Sequence, residues 1–230
     1  MNPKITVSIS VYNNYHLLKN ALISLQKQNF KDFEVIIIDD KSNKIENFTQ
    51  FNDLNIKFYK NKQNMGPDYC FNKAFKLATG KYFCTLDADD EFTKDSLDIR
   101  YSKLTSSKSD ILHTGIYVKS KIIKNYISPV DTSNLTNLKK FLSKKQKRLG
   151  INLHTFMYKK DSFQNFPLRN TKDSFTNHND YEFALRSLLK FTSITLDKPT
   201  YIYKLYKKNH KTLYDNDLLP ILEKKYSKLI

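Results

Sequence analysis

The chain has 230 residues, 40% of them hydrophobic and 13% aromatic, enough apolar material to fill one sizeable core. Its formal net charge is +16, no apolar run approaches the roughly 20 residues that span a bilayer, and Met1-Asn2-Pro3-Lys4 leads into a short β-like run rather than a signal peptide. The two cysteines, Cys70 and Cys84, are too few for a disulfide framework and lack metal-site spacing, so their apolar surroundings predict buried thiols in a reducing cytosol.

In chain order, ITVSISV (residues 5–11) is rich in β-branched residues, is bounded by Asn13-Asn14 and predicts a buried strand. Leu17, Leu18, Ala21, Leu22 and Leu25 then recur with helical period, with Asn14 as the candidate cap. FEVIIIDD is a nearly continuous apolar strand ending in Asp39 and Asp40, the pattern required of a parallel strand covered on both faces. NIKFYK (residues 55–60) is a third strand. Gly66-Pro67 opens a helix that carries Phe71, Ala74, Phe75 and Ala78 on one face and is closed by Gly80. KYFCTL is a fourth strand, running straight into DADD.

The second half changes rhythm. A helix over residues 94–106 precedes two strand-like runs, DILHTGIYV and KIIKNYI. LKKFLSKKQKRLG (residues 138–150) reads as a basic helix, because Leu135, Leu138 and Leu142 share one face and the lysines line the other. INLHTFMY is another strand, NDYEFALRSLLKF a helix with Ala184, Leu185, Leu188 and Leu189 aligned, SITLD and TYIYKLY two further strands, and a last helix starts near Pro220. The alternation in the first ~90 residues predicts an α/β fold, a doubly wound mixed sheet with right-handed crossovers. No linker or repeat interrupts the chain, so residues 1–230 are expected to form a single domain, with residues 1–100 as one half and 101–230 as the other.

Ligands of such sheets bind beyond the carboxyl ends of the strands. Here those ends carry Ser10, Tyr12 and Asn13, then Asp39 and Asp40, then Asp87, Asp89 and Asp90. Three carboxylates within four residues of a basic chain repel one another unless water or a cation screens them. They are either a solvated acidic turn or the ligands of a hard divalent ion such as Mg²⁺ or Mn²⁺. No GxGxxG follows the first strand and no GxxxxGK[ST] occurs anywhere, so a bound nucleotide would need another neutraliser for its phosphates. A cation on DADD supplies one. The basic surplus is mostly scattered lysine with no nucleic-acid motif beside it, which excludes nucleic acid as the expected partner and leaves an anionic substrate or an anionic membrane surface.

VSISVYNNYHLLKNALISLQKQNFKDFEVIIIDDKS followed by NMGPDYCFNKAFKLATGKYFCTLDADDEF resembles the family 2 inverting glycosyltransferases of the GT-A fold, over roughly the first 100 residues. The second half is similar mainly through NDYEFALR. The resemblance implies a cytoplasmic bacterial enzyme, peripheral to the inner membrane, that builds surface polysaccharide or lipooligosaccharide. Its donor would be a nucleotide-diphosphate sugar and its acceptor a glycan or a lipid-linked glycan. It implies that Tyr12 lies against the nucleotide base, that Asp40 accepts a hydrogen bond from uracil, and that Ser10 and Asn13 belong to the same nucleotide-sugar site. Asp87, Asp89 and Asp90 would divide ribose and metal contacts among them, with Asp89 and Asp90 on the metal. Asp180 would be the catalytic base, with Glu182 as the weaker alternative. An acid at that position also suits a helix N-terminus without any chemistry.

Many relatives carry an Arg-x-His pair in a late loop that touches diphosphate or metal. Here YIYKLYKKNH offers Lys204 and Tyr206 at that place, so Lys204 is the candidate phosphate contact, and either His210 replaces the missing ligand or the metal is held without it. His154 is a packing residue or faces the acceptor. Two other classes compete: a sugar nucleotidyltransferase, disfavoured because SVYNNYHLL has no glycine, and a non-catalytic basic binding protein, disfavoured by the intact DADD and Asp180.

Overall fold

The computed structural model describes residues 2–44, 47–121, 124–134, 136–137, 151–166 and 179–205. The basic segment 138–150, the helix expected from Pro220, and His210 lie outside the described residues.

Strand β1 (Ile5–Val11) is followed by helix α1 (Tyr15–Gln26), β2 (Phe33–Asp39), β3 (Ile56–Lys60), helix α2 (Pro67–Leu77) and β4 (Tyr82–Thr85). These four strands are parallel in the order β3-β2-β1-β4. The chain therefore winds outward from β1 through β2 to β3, then crosses back to place β4 on the other side of β1. The carboxyl ends of β1 and β4 flank the switch point, the position where an open α/β sheet forms its crevice. Every residue of β2 is buried, as its apolar run requires.

The pleat sends alternate side chains to opposite layers. Ile5, Val7, Ile9, Val35 and Ile37 pack with Leu18, Leu22 and Leu25 of α1. Ile36, Ile38 and Phe83 pack with Phe71, Ala74 and Phe75 of α2 on the other side. Each fully buried aliphatic or aromatic side chain contributes about 1.5–3 kcal/mol. Asn14 stands at the cap position of α1 but makes no side-chain capping bond; its carbonyl accepts from Leu17 and Leu18 N–H instead. Gly66 enters α2 at φ 85°, a backbone only glycine adopts freely, and Pro67 takes the first turn. At Gly80 a Cβ would stand 2.6 Å from the Thr6 backbone nitrogen, so glycine is what lets the chain pass β1 before β4.

After β4 come β5 (Glu91–Phe92), helix α3 (Ser96–Thr105), β6 (Ile111–Lys119), β7 (Lys124–Ile127), β8 (Phe156–Lys159), helix α4 (Asn179–Lys190) and β9 (Ser193–Lys204). Among the described residues they extend the sheet to nine strands, in the order β3-β2-β1-β4-β8-β6-β9-β5 with β7 beside β6. β8 pairs antiparallel with β4 and β6, so the sheet is mixed.

Two expectations need correction. INLHTFMY is a strand only in its second half, because Leu153–Thr155 forms a 3₁₀ turn ahead of β8. SITLD and TYIYKLY are not two strands but the two ends of β9, which runs parallel to β6 and changes register where Pro199 faces Gly115. Proline offers no N–H to the ladder, and a bulge there absorbs the loss. Both cysteines are free and buried.

Candidate functional site

β4 delivers the acidic segment to the switch point. Leu86 N–H still bonds the Ser8 carbonyl at 2.9 Å, holding the strand end against β1, and the chain then turns so that Asp90 N–H reaches the Asp87 carbonyl at 3.1 Å. This turn brings one carboxylate oxygen from each of Asp87, Asp89 and Asp90 within 4.8 Å of one another. Asp90 is buried and tied to β9: its Oδ2 accepts from Tyr201 Oη at 2.7 Å and its Oδ1 from Lys204 N–H at 2.8 Å. Burial, and then the charges of Asp87 and Asp89, push the Asp90 carboxyl well above the usual carboxylate range. A divalent cation among the three oxygens would relieve that repulsion, and the all-oxygen donor set suits a hard ion. The three acids therefore fit a metal. Each Asp90 oxygen keeps a lone pair beside its hydrogen bond.

The turn is held from beneath. Tyr201, fully buried on β9, also accepts from the Asp87 backbone N–H at 3.2 Å. His154 lies on the other flank, with Nε2 3.2 Å from Asp87 Oδ2, Nδ1 3.1 Å from Thr85 Oγ1, and its ring stacked on Tyr201. Arg100 of α3 is completely buried, donates from Nε to Thr200 Oγ1 at 2.8 Å and from Nη1 to the His154 carbonyl at 3.2 Å, and lies over the Phe92 ring. Burial draws this guanidinium down to about 10.

Tyr203, two residues along β9, faces the same space. Burial pushes its phenol up to about 12, and Asp90, Asp87, Asp89 and Asp180 all add to the shift. Asp180 is half-buried in the first turn of α4. The preceding residue, Asn179, donates its side-chain amide to Asp68 at the start of α2, which fixes where α4 begins. Glu182 pairs with Arg186 at 3.0 Å, one helical turn on.

The ends of β1 and β2 form the opposite wall. Ser10 is half-buried in β1 opposite Ile38. Tyr12 is 49% exposed, and Met65, just ahead of α2, is 39% exposed. Asn13 has φ 55°, donates its N–H to Ser42 Oγ at 2.8 Å and accepts from Asn43 N–H at 2.9 Å, so it shapes the loop after β2. Asp39 is structural: it accepts from Ser42 N–H at 3.1 Å and lies 3.8 Å from the Lys60 ammonium. Asp40 is buried; Oδ1 accepts from Asn61 and Met65 N–H at 2.8 Å each, and Oδ2 from Gly66 N–H at 2.7 Å. One lone pair of Oδ2 remains.

Lys204 reaches the site differently from its expected part. Its backbone N–H serves Asp90, while its ammonium pairs with Glu91. Tyr12, Asn13 and Asp40 follow the carboxyl ends of β1 and β2, and the acid turn follows that of β4. His154, Tyr201, Tyr203 and Arg100 are the supporting residues that sequence reasoning missed or left open. The alternation TYIYK, which sends Tyr201 and Tyr203 to one face of a strand, is the signal that could have found two of them.

The family model described as "Glycosyl transferase family 2" matches residues 6–166, and the chain belongs to that family. It is 36% identical over 138 residues to an uncharacterized glycosyltransferase of Rickettsia conorii, a match covering 57% of this chain and 23% of the relative. It is 34% identical over 107 residues to the GalNAc(5)-diNAcBac-PP-undecaprenol beta-1,3-glucosyltransferase of Campylobacter jejuni, covering 44% of this chain and 34% of that one. The chain thus spans about a quarter to a third of the length of these relatives. Among solved structures, residues 1–349 of S. aureus TarS in complex with UDP superpose at TM-score 0.71 with 22% identity, over 96% of this chain and 65% of that fragment. That likeness identifies the fold as the GT-A type. No helix among the described residues is long and apolar enough to cross a membrane.

Proposed function

We propose that this chain transfers a sugar from a nucleotide-diphosphate sugar, a UDP-sugar, to a hydroxyl of a glycan or lipid-linked acceptor, with inversion at the anomeric carbon, in bacterial surface polysaccharide or lipooligosaccharide synthesis. The observation that carries the reading is the meeting of the Asp87, Asp89 and Asp90 carboxylates within 4.8 Å of one another at the carboxyl end of β4. Residues 1–100 form the donor half in this reading and residues 101–230 the acceptor half.

The donor side follows from the exposed groups. Tyr12 and Met65 offer apolar faces to a base, and the remaining lone pair of Asp40 Oδ2 can accept from a uracil N–H. Ser10 and Asn13 complete this wall. Asp89 and Asp90 would hold Mg²⁺ or Mn²⁺, with Asp87 beside them for the ion or the ribose. The bound ion would supply positive charge to the departing diphosphate. Lys204 meets a phosphate only by exchanging Glu91 for it.

Asp180 takes the proton from the attacking acceptor hydroxyl. A single displacement needs a carboxylate on the acceptor side of the anomeric carbon, and the half-buried Asp180 in the first turn of α4 supports that role. The lipid-linked acceptor is supported by the undecaprenol in the Campylobacter relative's name, and peripheral contact with an anionic membrane by the net charge of +16. Equal partitioning of the protein onto neutral and anionic vesicles would contradict that contact.

A panel of UDP-, GDP- and CMP-sugars, read by release of the free nucleotide with Mn²⁺ present, tests the donor. UDP release from one UDP-sugar, lost in Asp180→Asn, is the expected result. Release only from GDP- or CMP-sugars would overturn the UDP assignment.

A further inference from the structure

We infer that His154 is a positioning residue for the acid turn: it sets the orientation of the Asp87 carboxylate and, through it, the affinity of the turn for a divalent cation. This inference rests on the metal reading of Asp87, Asp89 and Asp90.

His154 Nε2 faces Asp87 Oδ2 at 3.2 Å, an approach that suits an imidazole N–H toward an ionised carboxylate. Nδ1 shares a hydrogen bond with the Thr85 hydroxyl at 3.1 Å, and with the proton on Nε2 it is the acceptor, which sets the ring angle. Thr85 is the last residue of β4, two before Asp87, so the strand that delivers the acid also orients the ring that holds it.

The rest of His154 is clamped as well. Its N–H donates to Asn152 Oδ1 at 2.9 Å, its carbonyl accepts from the buried Arg100, and its ring stacks on Tyr201 with centroids 5.6 Å apart. Tyr201 in turn bridges the Asp87 backbone and the Asp90 carboxylate. A ring fixed at this many points is not a surface histidine. Nor is it one of the ligands: the group of ligand atoms within 4.8 Å of one another comprises the three aspartates without it.

The imidazole stands against Asp87 Oδ2 and so restricts how that carboxylate can turn toward the other two acids. An isolated carboxylate on a turn rotates freely, and that freedom must be given up when a cation binds. Groups that fix a ligating carboxylate typically contribute about 10–100-fold in metal affinity.

The test is Mn²⁺ alone, without nucleotide, titrated into the full chain and followed by the paramagnetic resonance of the free ion. The variants are Asp89→Asn, His154→Ala, His154→Gln and Thr85→Val, each checked for wild-type circular dichroism and melting. The expected result is Mn²⁺ binding by wild type, its loss in Asp89→Asn, roughly tenfold weakening in His154→Ala, and recovery in His154→Gln, whose amide nitrogen can occupy the place of Nε2. Thr85→Val, which keeps the shape and removes only the Nδ1 partner, should weaken binding several-fold, and it carries the test if His154→Ala does not fold. Wild-type affinity in a folded His154→Ala or in Thr85→Val overturns this inference and leaves the metal reading intact. A wild-type chain that takes up no Mn²⁺ overturns both.

Discussion

The Tyr201 hydroxyl donates to Asp90 Oδ2 at 2.7 Å and accepts from the Asp87 backbone N–H at 3.2 Å. One phenol from β9 thus closes the turn that carries all three acids. Without it Asp90 is a buried carboxylate short of a donor, and a buried polar group that loses its partner costs about 1–3 kcal/mol. Tyr201→Phe keeps the ring stack on His154 and removes only the hydroxyl. It is expected to lower the unfolding free energy by that amount, read as a lower urea midpoint, and to weaken Mn²⁺ binding together with it. A variant as stable as wild type would separate the phenol from the turn.

Asp180→Asn removes a base and leaves a side chain of the same shape. General-base carboxylates typically contribute about 10²–10⁴-fold in rate. Turnover should fall by that factor while donor affinity, set by the opposite wall and the acid turn, stays within about twofold. Glu182→Gln should cost little, because Glu182 is engaged with Arg186 at 3.0 Å. Steady-state kinetics on the donor identified by the sugar panel would show it, and the reverse ranking would move the base to Glu182.

Two buried groups give the fold a readable pH dependence. Burial, aided by the Arg100 charge, draws His113 down to about 3, against an ordinary value near 6.5 in the unfolded chain. Between those values the unfolded state binds a proton that the folded state refuses, so stability falls as pH drops below about 6.5, by up to about 1.4 kcal/mol per pH unit. For Glu34, burial pushes the carboxyl up, but Lys57 at 2.7 Å and the bonds from Thr6 and Thr79 outweigh it and leave the pKa lowered. Its contribution is complete above the unfolded carboxyl's pKa and is lost on further acidification. Denaturant midpoints taken across pH should therefore show His113→Gln flattening the limb between about pH 4.5 and 6.5, and Glu34→Gln flattening only the limb below it.

Gly80→Ala tests the packing between the α2–β4 connection and β1. The new methyl meets the backbone atoms Thr6 N at 2.6 Å and Ile5 C at 2.7 Å, which cannot rotate away. Overpacking of this kind costs about 1–3 kcal/mol. A thermal melt shifted downward by several degrees is the expected outcome, and an unchanged melt would mean that the connection has room the structure does not show.

The first 100 residues are legible because their signals are local. A continuous apolar run identifies β2, Gly66-Pro67 marks the start of α2, and three acids after an apolar strand mark the turn. Asp40 was legible as a residue near the crevice, but its three loop donors were not, since they come from Asn61, Met65 and Gly66, more than 20 residues away. Arg100 reads in sequence as an ordinary helix arginine; only the meeting of α3 with β9 buries it. β5 has two residues, too few for any period to register. β9 was divided in two because the bulge at Pro199 breaks the alternation that would have joined its ends.

The central claim is that the acid turn holds the donor's diphosphate through a divalent cation. Calorimetric titration of UDP into wild type and Asp89→Ala, each with and without Mn²⁺, addresses it most directly. Binding that requires Mn²⁺ in wild type and vanishes in Asp89→Ala is the predicted result. UDP binding of equal strength without the ion, or undiminished in Asp89→Ala, would contradict it.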